Sequence, residues 1–121
     1  MSARILVIED HEENRRILRL LLASAGYEVI EAATGEDGVT LAETGRPNLI
    51  LMDIQLPGLD GYEATRRIKA NPALHQIPII VVTSYALSGD DVKAFEAGCD
   101  AYVTKPFNPR QLLAKVREYL P

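Results

Sequence analysis

Leu49-Ile50-Leu51-Met52-Asp53-Ile54-Gln55-Leu56-Pro57-Gly58-Leu59-Asp60-Gly61 is an apolar run broken by one carboxylate and followed by a Pro-Gly turn. An apolar run bounded by turn signals reads as a strand buried on both faces. A charge does not belong in such a strand unless partners meet it. Asp53 stands where the strand gives way to Pro57-Gly58, so it is placed at the strand's C-terminal end. In open α/β sheets that edge is where ligands bind. The reading of the remaining chain therefore turns on what gathers around Asp53.

Working outward, strand-like and helix-like stretches alternate. Ile5 to Ile8 is an apolar run ending in Glu9-Asp10. From Glu12 to Ala25, Ile17, Leu18, Leu21, Leu22 and Ala25 recur at helical spacing, and Gly26 stops that helix. Tyr27 to Ala32 is a second strand, shorter and more polar, and so nearer a sheet edge. Gly35 opens a helix carrying Val39, Leu41 and Ala42, closed by Gly45. Pro47 leads into the central strand, Asn48 to Asp53. A third helix covers Tyr62 to Ala70 and ends at Asn71-Pro72.

Pro78 to Thr83 is a second β-branched run and hence a buried strand. A loop over Ser84 to Ser88 precedes a helix in which Ser88 and Asp91 resemble a capping box and Val92, Ala94 and Phe95 follow, closed by Gly98. Asp100 to Thr104 is a fifth strand, ended by Lys105-Pro106. Asn108-Pro109 caps and starts a last helix bearing Leu112, Leu113, Val116 and Leu120. Five strand–helix units imply a doubly wound, flavodoxin-like parallel α/β sheet with helices on both faces. Five strands suit the order 2-1-3-4-5.

Composition bounds the function. The 121 residues suggest a single domain spanning residues 1–121, with 47% apolar and 25% charged residues, as in globular proteins. A net charge of -4 argues against a nucleic-acid binder. One cysteine forms no internal disulfide, and no run of 18 apolar residues or signal-peptide pattern is present. The expectation is a cytoplasmic protein with neither a membrane nor a nucleic-acid partner.

In a parallel sheet the C-terminal strand ends share one edge. That edge would carry Glu9 and Asp10, Asp53, Thr83 and Lys105. Two like charges about 4 Å apart repel by roughly 4 kcal/mol at an effective dielectric of 20. Three carboxylates with one lysine therefore call for a cation. The hard oxygen donors fit Mg²⁺, or a similar ion such as Mn²⁺, better than zinc. A metal, an ammonium and a hydroxyl around a carboxylate nucleophile make a phosphoryl-transfer site.

With these motifs in order, the chain resembles a response-regulator receiver domain of two-component signalling, over Arg4 to Leu120. The resemblance rests on Glu9-Asp10, Asp53 with Pro57-Gly58 and Asp60-Gly61, Thr83-Ser84, and Tyr102 with Lys105-Pro106-Phe107. It is similar to the small stand-alone receivers of the cell-cycle and chemotaxis kind. The resemblance implies that Asp53 accepts a phosphoryl group from the phosphohistidine of a histidine kinase or phosphotransfer protein. It implies that Asp10, Asp53 and the Gln55 backbone carbonyl ligate Mg²⁺, with Glu9 acting through a metal-bound water. Thr83 and Lys105 would hold the phosphoryl group, a cis peptide before Pro106 would fix the lysine, and Tyr102 would change rotamer as Thr83 moves. Gln55 and Tyr85 would tune dephosphorylation, and a bulky Tyr85 would slow it. The output surface would be the fourth helix, fifth strand and fifth helix, roughly Asp90 to Tyr119.

Plainer readings stand beside these. Asp10 could cap the first helix with Glu13, and Tyr102 could be a packing residue. His11 reads as a solvated loop histidine rather than a metal ligand, His75 as loop, and Cys99 as a small buried apolar residue. Arg15, Arg16 and Arg19 read as a mixed solvated face that could dock a kinase. Two rival functions remain: a receiver fragment of a hybrid kinase or multidomain regulator, and a small Mg²⁺-dependent aspartyl-phosphate phosphatase. The Met1 start favours a complete protein without an output domain. Gln55 stands where such a phosphatase needs an aspartate, so the expectation is a switch rather than an enzyme.

Overall fold

The structure is a computed structural model that describes residues 2–83 and 90–120. Five parallel strands, β1 (Arg4–Ile8), β2 (Glu28–Ala32), β3 (Leu49–Met52), β4 (Ile79–Thr83) and β5 (Ala101–Thr104), form one sheet in the order β2-β1-β3-β4-β5. Five helices alternate with them: α1 (Glu12–Ser24), α2 (Gly35–Gly45), α3 (Gly61–Ala70), α4 (Asp90–Ala97) and α5 (Pro109–Tyr119).

The inner strands β1, β3 and β4 have no polar face because both of their faces are covered. Along each strand side chains alternate between the two faces. Leu6, Ile8, Ile50, Met52, Ile79 and Val81 join Ala42, Ala64, Ile68 and Ala94 in one cluster under α2, α3 and α4. Ile5, Val7, Leu49, Leu51, Ile80 and Val82 join Leu18, Leu22, Leu112 and Val116 in the other, under α1 and α5. All four residues of β3 are buried, which explains its unbroken apolar sequence.

Local signals hold at most helix ends. Thr34 accepts from the Asp37 N–H, Asp60 from Glu63, and Asn108 from Arg110 and Gln111, each capping a helix. α2 closes at Gly45 as expected, and the left-handed residue after it is Arg46, at φ 47°. Three sequence readings need correction. β2 is at the edge but is as long as β1, at five residues. Ile17 shares α1 with the buried Leu18 and Leu22 but is 55% exposed, because a helix presents only a stripe to the sheet. Asp10 does not cap α1: the N-cap residue is His11, with no side-chain cap bond. The loop of residues 84–88 and the Ser88 capping box lie outside the described residues. Among the described residues, no helix is long and apolar enough to cross a membrane.

Candidate functional site

Register brings the charged residues together. Ile8 pairs with Met52, so Glu9 and Asp53 leave the sheet side by side. The Asp53 N–H donates to the Ile8 carbonyl at 3.0 Å, and the Glu9 N–H donates to the Ala32 carbonyl at 3.0 Å. Thr83 pairs with Thr104, and the Lys105 N–H donates to the Thr83 carbonyl at 2.8 Å. Thr83 is fully buried. The Lys105–Pro106 peptide is cis, as expected.

The carboxylates are taken out of water. Glu9 is 1% exposed and Asp53 7%. Lys105 Nζ donates to Glu9 Oε1 at 2.5 Å and lies 3.6 Å from Asp53 Oδ2. Glu9 also accepts the His11 N–H at 3.1 Å, and Asp53 Oδ1 accepts the Gln55 N–H at 3.3 Å. One lysine thus serves two buried carboxylates unequally. Burial pushes the Asp53 carboxyl up to about 6; Lys105 opposes this, and the neighbouring Glu9 charge adds to it. Burial also raises Glu9, but the Lys105 hydrogen bond and the His11 N–H outweigh it, and Glu9 falls to about 2.

Asp10 differs from both. Its Oδ1 is buried and has no hydrogen-bond partner among the described residues. The nearby His11 Nδ1, at 3.2 Å, is at ion-pair distance only. A buried carboxylate oxygen left without a donor is costly unless a cation meets it. Oxygens of Glu9 and Asp10 and a ring nitrogen of His11 lie within 4.8 Å of one another. The Glu9 and Asp10 oxygens, with Asp53 beside them, fit a hard divalent cation.

The site needs supports that the sequence did not reveal. Arg15 Nη1 donates to the carbonyls of Glu9, at 2.9 Å, and Asp10, at 3.2 Å. It ties down the acidic loop, rather than facing solvent, and its side chain is only 19% exposed. Its guanidinium also lies 3.5 Å from Glu31, and Arg19 bonds the same carboxylate at 3.0 Å. Nothing in the run Glu12 to Arg19 separates Arg15 from Arg16; only the loop's return over the first turn does. Gly61 is a second support. A Cβ there would sit 2.1 Å from the Asp53 carbonyl oxygen, so α3 can start against the phosphoacceptor candidate only with glycine.

The remaining candidates are placed as follows. Gln55 is exposed beside Asp53. Tyr102 is half-buried on β5 and packs against the α2–α4 side of the core. Tyr85 lies outside the described residues.

Comparison with known proteins agrees with this arrangement. The model of the response regulator receiver domain family matches residues 5–117. The polar-differentiation response regulator DivK of Brucella anthropi is 38% identical over 120 residues, covering 99% of this chain and 98% of that protein. The receiver domain of the sensor histidine kinase PA1611 of Pseudomonas aeruginosa, solved with a magnesium ion coordinated in the active site cleft, superposes with a TM-score of 0.92. It is 38% identical and covered to 98%, with 99% of this chain matched. The chemotaxis protein CheY4 of Vibrio cholerae superposes with a TM-score of 0.92 at 26% identity, with 98% of this chain and 99% of that chain covered.

Proposed function

The chain belongs to the response regulator receiver domain family of two-component signalling, and from this we propose that Asp53 is its phosphoacceptor. The observation that carries the assignment is the burial of Asp53 beside Glu9, with Lys105 Nζ 3.6 Å away. An Asp53 carboxylate oxygen attacks the phosphorus of a phosphohistidine on a histidine kinase or phosphotransfer protein. The O–P bond forms, the P–N bond breaks, and the imidazole leaves with the N–P electron pair and takes up a proton. Bound Mg²⁺ would supply positive charge to the transferring phosphoryl oxygens.

Asp10, Asp53 and the Gln55 carbonyl would hold that ion, and Glu9 would reach it through a water; Mn²⁺ would serve similarly. Lys105 would turn from Glu9 toward the arriving phosphoryl group, and the Thr83 hydroxyl would donate to it. Thr83 and Tyr102 then form the switch pair, which shifts a pre-existing equilibrium. Exposed Val92 and Phe95 on α4 support a protein-docking role for the α4–β5–α5 face. Exposed Ile17 on α1, which lines a cavity with Lys105, and its exposed neighbour Leu20 support docking of the phosphoryl donor there. Gln55 offers no acid or base for turnover, so the chain acts as a switch that loses its phosphoryl group slowly, with Gln55 and Tyr85 setting the pace.

Incubation with acetyl phosphate and Mg²⁺ tests the reading. One stoichiometric, hydroxylamine-labile phosphoryl group, absent in Asp53→Asn, is expected. Multiple turnovers of product would instead establish an enzyme.

A further inference from the structure

His11 stands at the N-cap of α1, where a short polar side chain normally accepts a helix N–H. It makes no such bond. Its ring turns back instead, with Nδ1 3.2 Å from Asp10 Oδ1 and 3.5 Å from Glu9 Oε2. Asp10 Oδ1 is a buried acceptor that lacks a hydrogen-bond partner among the described residues. The imidazole is 70% exposed, so it can rotate about its side-chain bonds without disturbing the core.

We propose that His11 adds a nitrogen donor to the cation site and makes it prefer first-row transition metals, Co²⁺ and Ni²⁺ above all, over Mg²⁺. The proposal rests on the cation site assigned above. Mg²⁺ takes oxygen donors and gains little from an imidazole. Cobalt and nickel gain much from one, in the order of affinity that runs up from Mn²⁺ to Cu²⁺. Asp10 and Asp53 alone would discriminate weakly between these ions, since both offer only hard oxygen.

The test is calorimetric titration of the full chain with MgCl₂, CoCl₂ or NiCl₂, well above the ordinary imidazole pKa, for the native protein, His11→Ala and the control His75→Ala. Native protein and His75→Ala should bind one Co²⁺ or Ni²⁺ at this site, displaced by excess Mg²⁺. His11→Ala should lose about tenfold or more in Co²⁺ and Ni²⁺ affinity while Mg²⁺ affinity stays within about twofold. The visible absorption of bound Co²⁺ should also shift in His11→Ala, as a nitrogen donor is exchanged for water.

An unchanged ratio of Ni²⁺ to Mg²⁺ affinity in His11→Ala overturns the proposal. So does Mg²⁺ binding that tightens in step with Ni²⁺, which would make His11 only a counter-ion to Glu9 and Asp10. Asp10→Asn separates the underlying site from this refinement. If neither Mg²⁺ nor Co²⁺ affinity falls in that variant, the cation site itself is misassigned; if both fall, the site stands and His11→Ala alone decides.

Discussion

The two edges of the sheet are built from the same kinds of side chain and do opposite things with them. At the lower edge, where the strands begin, charges are matched and wet. Arg4 pairs with Glu28 at 3.1 Å and donates to the Gly45 carbonyl, and its backbone N–H donates to Asn48 Oδ1 at 2.8 Å. Asp100 accepts from Lys69 at 3.0 Å and from the Ile79 N–H at 2.8 Å. A broad depression of about 830 Å³ opens there, lined in part by Tyr27, Asn48, Arg117 and Tyr119. At the upper edge, Glu9 and Asp53 are buried with Lys105 between them, and one Asp10 oxygen is left without a hydrogen-bond partner among the described residues. The larger hollow is therefore not the reactive one. Chemistry follows unsatisfied, desolvated charge rather than volume, because only such groups gain substantially from an incoming cation or phosphoryl group.

The contrast can be broken first at Lys105. Lys105→Met leaves Glu9 buried without its cation and should cost about 4 kcal/mol of stability near neutral pH, read by urea denaturation. A loss below about 1 kcal/mol, as for an exposed pair, would erase the difference between the edges.

Next in size comes Asp53, with the opposite sign. Its folded-state pKa of about 6 lies above the ordinary 3.8, so the folded protein holds that proton more tightly than the unfolded chain. Stability of the metal-free protein should therefore fall as pH rises from about 4 to about 6. Asp53→Asn should remove that slope and gain roughly 2 to 3 kcal/mol above pH 6, measured by denaturation in EDTA across the range. Glu9 contributes in the other direction at lower pH. Its folded-state pKa of about 2 lies below the ordinary 4.5, so its stabilisation is present above about pH 4.5 and is lost as pH falls toward 2. Added Mg²⁺ should raise the melting temperature of the native protein and leave that of Asp53→Asn nearly unchanged.

Gly61→Ala sharpens the same edge through the backbone. The added methyl meets the Asp53 carbonyl, and a loss of about 2 kcal/mol is expected, with slower phosphorylation by acetyl phosphate as α3 backs away. The smallest effect belongs to the lower edge. Arg4→Met breaks a pair whose side chains are 39% and 50% exposed and should cost under about 1 kcal/mol, with phosphorylation unchanged.

Much of this architecture was legible in the chain. Ile5 to Ile8, Leu49 to Met52 and Ile79 to Val82 are apolar throughout because covered parallel strands have no polar face. Gathering Glu9, Asp53 and Lys105 at one edge followed from parallel topology alone. The pairing inside that edge did not. Sequence order gives no reason for Lys105 to lie closer to Glu9 than to Asp53, since residues 9 and 105 meet only after the sheet is assembled. Arg15 looked like its neighbour Arg16 until the Glu9–Asp10 loop folded over it, and Ile17 looked like Leu18 until the sheet claimed one stripe of α1.

The sequence by itself determined the strand–helix alternation, the buried central strand and the carboxylate at its end, because hydrophobic period and turn residues act locally. The tertiary structure alone decided how charge is shared there: which carboxylate keeps the lysine, which is pushed toward its protonated form, and which buried oxygen lacks a hydrogen-bond partner among the described residues. Those outcomes depend on distance and desolvation between groups up to 96 positions apart, and neither quantity is written in the order of residues.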